Sequence, residues 1–356
     1  MHHSGEEQSH GRLIKCVVWD LDNTLWHGIL LEDATVQLRD NVVDTLRKLD
    51  ARGILHSIAS RSDLETARRK LDEFGLFEFF LYPQINWNSK ESSILAIADS
   101  LGIALDAIAF VDDDPFERAA INFSLPEVLC IDATDLSSLL AMPELSPRVI
   151  TADAQERRRQ YLSNILRAEA EKDFVGSKED FLATLGMVFD IAPASAGDLA
   201  RAEELTVRTH QLNSTGYTYS LDQLNQFCQS KVHKLLLASL RDRFGSYGKI
   251  GLVLIECNET VWTLKLLLMS CRVISRGVGT ILLNHVMEQA SNQNVLLRAE
   301  FVPTDRNRIM YVTYKFAGFK EKEKRGDCVI LENDLAQRQP SPAYVKIQSS
   351  FVSNPD

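Results

Sequence analysis

Asp20-Leu21-Asp22 constrains this chain more than any other feature, because it sets two carboxylates two residues apart where the apolar run Val17-Val18-Trp19 ends. Side chains two apart on a strand face the same way, and Asn23-Thr24 must open the strand into a loop for both to reach a ligand. Such a pair suits phosphoryl transfer: Asp20 attacks phosphorus and Asp22 protonates the leaving oxygen. The plainer alternative is an acidic strand-to-turn junction with Asn23 and Thr24 as turn residues.

Three later features follow in order. Ile54-Leu55-His56-Ser57-Ile58-Ala59 reads as a second buried strand that delivers Ser60 at its end, where a hydroxyl can hold a phosphate oxygen. Lys90 follows the polar stretch Asn86-Trp87-Asn88-Ser89 at the expected start of a helix, and its ammonium would neutralise the nucleophile and the phosphoryl group. Ile108-Ala109-Phe110-Val111 then runs into Asp112-Asp113-Asp114-Pro115, an acidic cluster that suits Mg²⁺, a hard ion wanting oxygen ligands. Asp, Ser, Lys and paired Asp at successive strand ends resemble the four signature motifs of the haloacid dehalogenase (HAD) superfamily of phosphotransferases. The resemblance covers roughly residues 13 to 135 and implies a Rossmann-like parallel sheet. HAD enzymes often carry a cap domain between these motifs. Here the intervals from Asp22 to Ser60 and from Ser60 to Lys90 leave room for a short flap and one helix each, so no large cap is expected.

At 356 residues the chain exceeds what one core usually holds, which predicts two domains. No apolar run approaches the roughly 20 residues that span a bilayer. The polar start, Met1 to Arg12, lacks the apolar stretch of a signal peptide, and its His2-His3 reads as a tag remnant. Cys16, Cys130, Cys228, Cys257, Cys271 and Cys328 form no CxxC pair and no compact framework, as expected of thiols in a reducing cytoplasm. A net charge of −10 argues against a nucleic-acid partner, which would call for a basic stripe. Arg157-Arg158-Arg159 is the local exception, and the helical spacing of Tyr161, Ile165 and Ala168 reads it as a solvated helix face.

Pro126, Pro143 and Pro147 punctuate the end of the first unit, since proline breaks helices and cannot donate to a ladder. The expected organisation is a first domain over 13–147, a connecting helix over 148–180, a second domain over 181–335 and a tail or linker over 336–356. In the second half, strands (185–192, 233–240, 250–257, 260–269, 294–302, 328–331) are interleaved with helices (197–209, 221–228, 277–291, 306–316). That succession resembles the GNAT acyltransferase fold, so both halves are expected to be α/β.

Within it, Met269-Ser270-Cys271-Arg272 ends a strand at a cysteine, and Arg276-Gly277 opens a helix whose backbone N–H groups would bind a phosphate or pyrophosphate. Ile274 stands where the GNAT coenzyme A signature opens with glutamine or arginine, a departure from that family. Cys271 reads either as a small buried hydrophobe or as a thiolate favoured by Arg272, Arg276 and the positive helix end. Arg208-Thr209-His210-Gln211-Leu212-Asn213-Ser214-Thr215 carries an unusual density of hydrogen-bonding groups, and Arg241-Asp242-Arg243 precedes a glycine-containing turn. His210 or Asp242 could serve as base or orienting group for Cys271; a structural histidine and an arginine-paired aspartate are the alternatives. Thr304 is expected as a helix N-cap.

Together, Asp20-Leu21-Asp22-Asn23-Thr24-Leu25-Trp26, Val111 to Arg118, Arg208 to Asn213, Arg243-Phe244-Gly245-Ser246-Tyr247-Gly248 and Met269-Ser270-Cys271-Arg272-Val273 make the chain resemble the FkbH-like proteins of polyketide biosynthesis. The resemblance implies a HAD domain joined to a GNAT-like domain. It also implies a three-carbon acyl group taken from 1,3-bisphosphoglycerate onto Cys271 and loaded on the phosphopantetheine thiol of an acyl carrier protein. Asp20 and Asp22 would remove the C3 phosphate, with Mg²⁺ held by Asp20, the Asp22 carbonyl and Asp112, beside Asp113, and with Ser60 and Lys90 on the phosphoryl oxygens. Arg272, Arg276 and Gly277 would bind phosphate in the second half. Carrier docking would use a local basic surface such as Arg157 to Arg159, or Arg201 and Arg208. A plain Mg²⁺-dependent phosphatase with a partner-binding second domain is the second reading, and a nonenzymatic scaffold a third, disfavoured because all the candidate phosphoryl-site residues are present.

Overall fold

The computed structural model describes residues 12–350 apart from Ala34, Ser137 and 337–339, so the polar start with His2-His3 lies outside the described residues. The chain divides into two compact units at Leu162/Ser163.

In the first unit, β1 (Cys16–Trp19), a short hairpin of β2 (Trp26–His27) and β3 (Gln37–Leu38), α1 (Val42–Ala51), β4 (Leu55–Ser60), α2 (Leu64–Glu73), β5 (Gln84–Ile85), α3 (Lys90–Leu101), β6 (Ile108–Asp112), α4 (Pro115–Ser124) and β7 (Leu129–Asp132) follow one another. The main sheet has the order β5-β4-β1-β6-β7 and is parallel throughout. Every residue of β1, β4 and β6 is buried, as strands covered by helices on both faces require. From β1 the chain steps out to one side through β4 and β5, then returns to the other side through β6 and β7. The switch point therefore lies beside β1, where open α/β sheets form their ligand crevice. The β2–β3 hairpin is a flap of two paired residues a side, and no inserted domain stands between β1 and α3 among the described residues.

The proline-punctuated stretch closes the first core. Leu139 and Leu145 are fully buried in the first core, because 139–145 folds back as short 3-10 turns. α5 (Ala152–Gln155) and the first part of α6 (Arg157–Asp173) complete this unit. The expected boundary near 147 thus moves to 162/163, and the single connecting helix becomes α5, α6 and α7 (Lys178–Thr184). Arg157 to Arg159 is not a solvated face. Arg157 is buried and donates to the Gly53 carbonyl at 2.7 Å, and Arg158 pairs with Asp50 at 3.1 Å, leaving Arg159 exposed beside Glu156.

The second unit continues with β8 (Met187–Pro193), α8 (Leu199–Arg208), α9 (Leu221–Gln229), β9 (His233–Asp242), β10 (Gly245–Cys257), β11 (Val261–Met269), α10 (Val278–Asn292), β12 (Leu296–Phe301), α11 (Arg308–Phe316), β13 (Lys320–Arg325), β14 (Cys328–Asn333) and β15 (Val345–Ser349). Its mixed sheet runs β13-β14-β12-β11-β10-β9-β8-β15, parallel only at β11–β12 and β8–β15. α10 packs on one face through Val278, Ile281, Leu282 and Val286, and α8 and α9 cover the other through Leu199, Leu205 and Leu224. Gly251 permits the close approach of α10: a Cβ there would lie 3.0 Å from Leu282 and 2.8 Å from Met269.

Two strands were not expected. β13, Lys-Glu-Lys-Glu-Lys-Arg, is exposed throughout and shows no apolar alternation, and β15 lies in the segment expected as a tail. The α/β expectation holds in both units, and no helix among the described residues is long and apolar enough to cross a membrane.

Candidate active site

In the first unit the carboxyl ends of β1, β4 and β6 bring together the residues that the sequence singled out. Asp20 directly follows β1, its N–H held by the Val111 carbonyl at 2.9 Å, and Asp112 ends β6. Lys90 opens α3, which Ser89 caps by accepting from the Ser92 N–H. Its ammonium lies 3.0 Å from Asp20 Oδ1 and 2.5 Å from Asp112 Oδ2. The Ser60 hydroxyl donates to Asp20. Burial pushes the Asp20 carboxyl up to about 6 even though Lys90 pulls the other way, and burial likewise raises Asp112. Burial disfavours the Lys90 charge as well, but Asp20 and Asp112 outweigh it and hold its pKa above the ordinary value.

The loops are cross-tied. Asp22 Oδ1 accepts from the Trp26 indole at 2.7 Å and the Leu30 N–H at 3.0 Å, which fixes this carboxylate against the flap. Thr24 donates to Asp113 Oδ1 at 3.2 Å and accepts from the Asp113 N–H at 3.1 Å. Local sequence marks Thr24 as a turn residue; its partner lies far along the chain, so only the fold reveals the tie. Asp114 caps α4, with Pro115 at the first helical position, and is thereby withdrawn from the acidic cluster.

Asp20, Asp112 and Asp113 place carboxylate oxygens within 4.8 Å of one another. Three carboxylates against the one Lys90 ammonium leave two negative charges in a largely buried crevice. A hard divalent cation with oxygen ligands fits that donor set.

In the second unit Cys271 follows the last residue of β11 by two and begins a 3-10 turn, Cys271–Arg276. Its Sγ lies 3.8 Å from Gln211 Oε1. The turn ends at Gly277, whose φ of 72° is left-handed and suits glycine, and α10 begins there. A cleft of about 120 Å³ opens beside it, lined by Leu212, Met269, Val273, Gly277, Thr280 and Met310 among others. Arg276 is buried and ion-pairs with Glu171 at 3.3 Å, while its Nε has no hydrogen-bond partner among the described residues. Arg272 Nε lies 3.3 Å from the Ser270 hydroxyl.

Asp242 takes the arginine-paired alternative. Its side chain is fully buried, accepts from Arg167 at 2.7 and 2.8 Å, and also holds the Tyr247 hydroxyl and the Phe244 N–H. That employment is structural, and it corrects the expectation of Asp242 as an orienting group for Cys271. Arg201, buried and paired with Glu204, and Arg208, paired with the same carboxylate, do not form the exposed basic surface expected for docking. His210 is exposed and adjoins Gln211, the residue touching Cys271.

Most of the polar density from 209 to 216 has a second purpose. β11 and β12 pair only at Val261 to Leu264 with Leu296 to Ala299. Beyond that, Leu212 to Thr215 wedges against β11: Met269 N–H donates to the Leu212 carbonyl at 2.9 Å, Ser214 N–H to the Leu267 carbonyl at 3.0 Å, and Leu267 N–H to the Ser214 hydroxyl at 3.0 Å. From the other side Val302 N–H donates to the Ser214 carbonyl at 3.1 Å, and Asn307 Nδ2 to the Asn213 carbonyl at 2.9 Å. Thr304, expected as a helix cap, accepts instead from the Arg306 and Asn307 N–H groups in the turn before α11.

The first unit thus defines a phosphoryl-transfer enzyme class: a parallel α/β sheet with a lysine-bridged aspartate crevice at its switch point. Residues 27–122 match the family model of the haloacid dehalogenase-like hydrolases. The human protein Magnesium-dependent phosphatase 1 is 30% identical over 139 residues, which cover 34% of this chain and 78% of that protein. The chain belongs to the haloacid dehalogenase-like hydrolase family. Among solved structures, the N-terminal part of a Bacteroides fragilis protein, containing a phosphatase domain complexed with Mg, is 24% identical over 43% of this chain and 40% of that one, at a TM-score of 0.33. The PaiA N-acetyltransferase of Thermoplasma acidophilum, in complex with coenzyme A, is 17% identical over 41% of this chain and 98% of its own, also at 0.33.

Proposed function

We propose that the chain is a bifunctional enzyme that takes the acyl group of 1,3-bisphosphoglycerate onto Cys271, removes the remaining phosphate with Asp20, and passes the three-carbon unit to the thiol of an acyl carrier protein in the cytoplasm, as in polyketide biosynthesis. The observation that carries this reading is Cys271 at the head of a turn whose Val273 and Ile274 line a cleft, in a chain whose other unit holds a lysine-bridged carboxylate crevice.

Reactivity assigns the steps. A thiolate at the acyl carbon of a carboxylic-phosphoric anhydride expels phosphate and keeps the activation as a thioester, whereas attack by Asp20 on that phosphate would release an unactivated carboxylate. Asp20 therefore takes the C3 ester. Its oxygen bonds to phosphorus, the P–O ester bond breaks, and Asp22 gives its proton to the departing oxygen. Asp22 then accepts a proton from water, which attacks phosphorus, releases phosphate and restores Asp20. Lys90, already on Asp20, would neutralise the phosphoryl oxygens, and Ser60 would donate a hydrogen bond to one of them. Asp20, Asp112 and Asp113, with the Asp22 carbonyl, would hold Mg²⁺, whose chemistry is charge neutralisation of the transferring group. The acidic cluster and the magnesium in the similar human phosphatase's name support that choice.

Intact mass after incubation with freshly generated 1,3-bisphosphoglycerate and Mg²⁺ tests the reading. A glyceryl adduct on the unmodified chain, none on Cys271→Ala and a phosphoglyceryl adduct on Asp20→Asn are expected. An unmodified protein that still releases phosphate would leave a plain phosphatase.

A further inference from the structure

Resting on the acyltransferase reading above, we propose that Gln211 is a further catalytic residue: its side-chain amide donates to the oxygen that turns negative when an acyl carbon bonds to the Cys271 sulfur. Gln211 touches the reacting atom, with Oε1 3.8 Å from Sγ, a contact distance for sulfur. A terminal amide carries an acceptor and a double donor on one carbon, and a half-turn of its last torsion exchanges them without backbone movement. Facing a thiol, the amide accepts through its oxygen. Facing a thiolate, which has no proton to give, it presents its NH₂.

The electron balance shows what that NH₂ does next. The sulfur lone pair forms the C–S bond and the carbonyl pair moves onto oxygen. That oxygen and the sulfur sit on the same carbon, so a donor facing the sulfur is within reach of both. On collapse the pair returns to C=O, the C–O bond to phosphate breaks, and phosphate leaves with its electrons while the thioester stays on Cys271.

A donor of this kind is effective only if it does not reorganise as charge develops. Gln211 is itself exposed, yet the next residue is locked: the Leu212 carbonyl accepts from Met269 N–H, and Asn213 and Ser214 behind it are fully buried in the wedge. Gln211 precedes Leu212 by one residue and Cys271 follows Met269 by two, so donor and nucleophile hang from opposite ends of one buried hydrogen bond.

The rate of Cys271 acylation by 1,3-bisphosphoglycerate, followed by intact mass on the full chain, is compared for the unmodified protein, Gln211→Ala and the similarly sized, donorless Gln211→Met, with iodoacetamide alkylation of Cys271 in parallel. Acylation slower by on the order of 10²–10³-fold in both variants, with alkylation slowed far less, is expected. Acylation at the unmodified rate overturns the assignment. So does a parallel fall in acylation and alkylation, which would place Gln211 in thiol activation. Absence of any adduct on the unmodified chain overturns the acyltransferase reading itself and this assignment with it.

Discussion

His56 illustrates how a single residue reports the state of the first core. Fully buried in β4, its Nδ1 accepts from the Trp19 indole at 3.1 Å and its Nε2 faces the Leu46 carbonyl at 3.1 Å. Both nitrogens are thus satisfied in the neutral ring, and burial pushes the pKa down from 6.5 to about 3. Between those two values the unfolded chain binds a proton that the folded chain does not, so stability falls as pH falls through this window. Denaturant titrations should show a loss of about 2 kcal/mol between pH 7 and pH 5 that a His56→Gln variant lacks; equal slopes in the two proteins would remove His56 as the cause. At this scale the crevice residues Asp20, Ser60, Lys90 and Asp112 were legible, because each falls at a strand end or helix start that local pattern marks. Thr24, Gln211 and the pairing of Asp242 with Arg167 were not, since their partners are brought close only by the sheet.

Among the elements, the wedge from Leu212 to Thr215 separates polar residues that build from polar residues that act. Ser214 accepts from Leu267 N–H on β11, a buried donor with that hydroxyl as its acceptor. Ser214→Ala should lower unfolding free energy by about 1–3 kcal/mol, the range for stranding a buried N–H, as measured by urea denaturation; a change within a few tenths would mean the N–H finds another acceptor. Helix and strand order were read closely from periodicity, as with α9, expected over 221–228 and observed at Leu221–Gln229. β13 escaped because an edge strand of alternating Lys and Glu carries no apolar signal, and such charge is what keeps an exposed edge from pairing with another chain.

For the whole molecule, the segment beyond 335 changes meaning. β15 pairs in parallel with β8 from Val345↔Met187 to Ser349↔Ile191, Val345 enters the second core, and Ser349 lies 3.2 Å from His285 on α10. A chain ending at residue 336 would uncover the edge of β8. We expect its unfolding free energy to drop by at least about 2 kcal/mol from the lost apolar burial, and light scattering to detect self-association through the bared edge; a truncated chain as stable and monodisperse as the full one would return the segment to the status of a tail.

By itself the sequence determined the class of the first unit and which residues meet in its crevice, because short motifs at strand ends encode the turns that present them. It also carried the order of elements in the second unit, through apolar period. Only the tertiary structure decided where the units divide, that the final segment is a strand, that Arg157 and Arg158 are anchors within the first unit, and that Gln211 meets Cys271. Each of these depends on which distant backbone groups and buried charges find one another, and one-dimensional spacing holds no record of such pairings until the sheets are assembled.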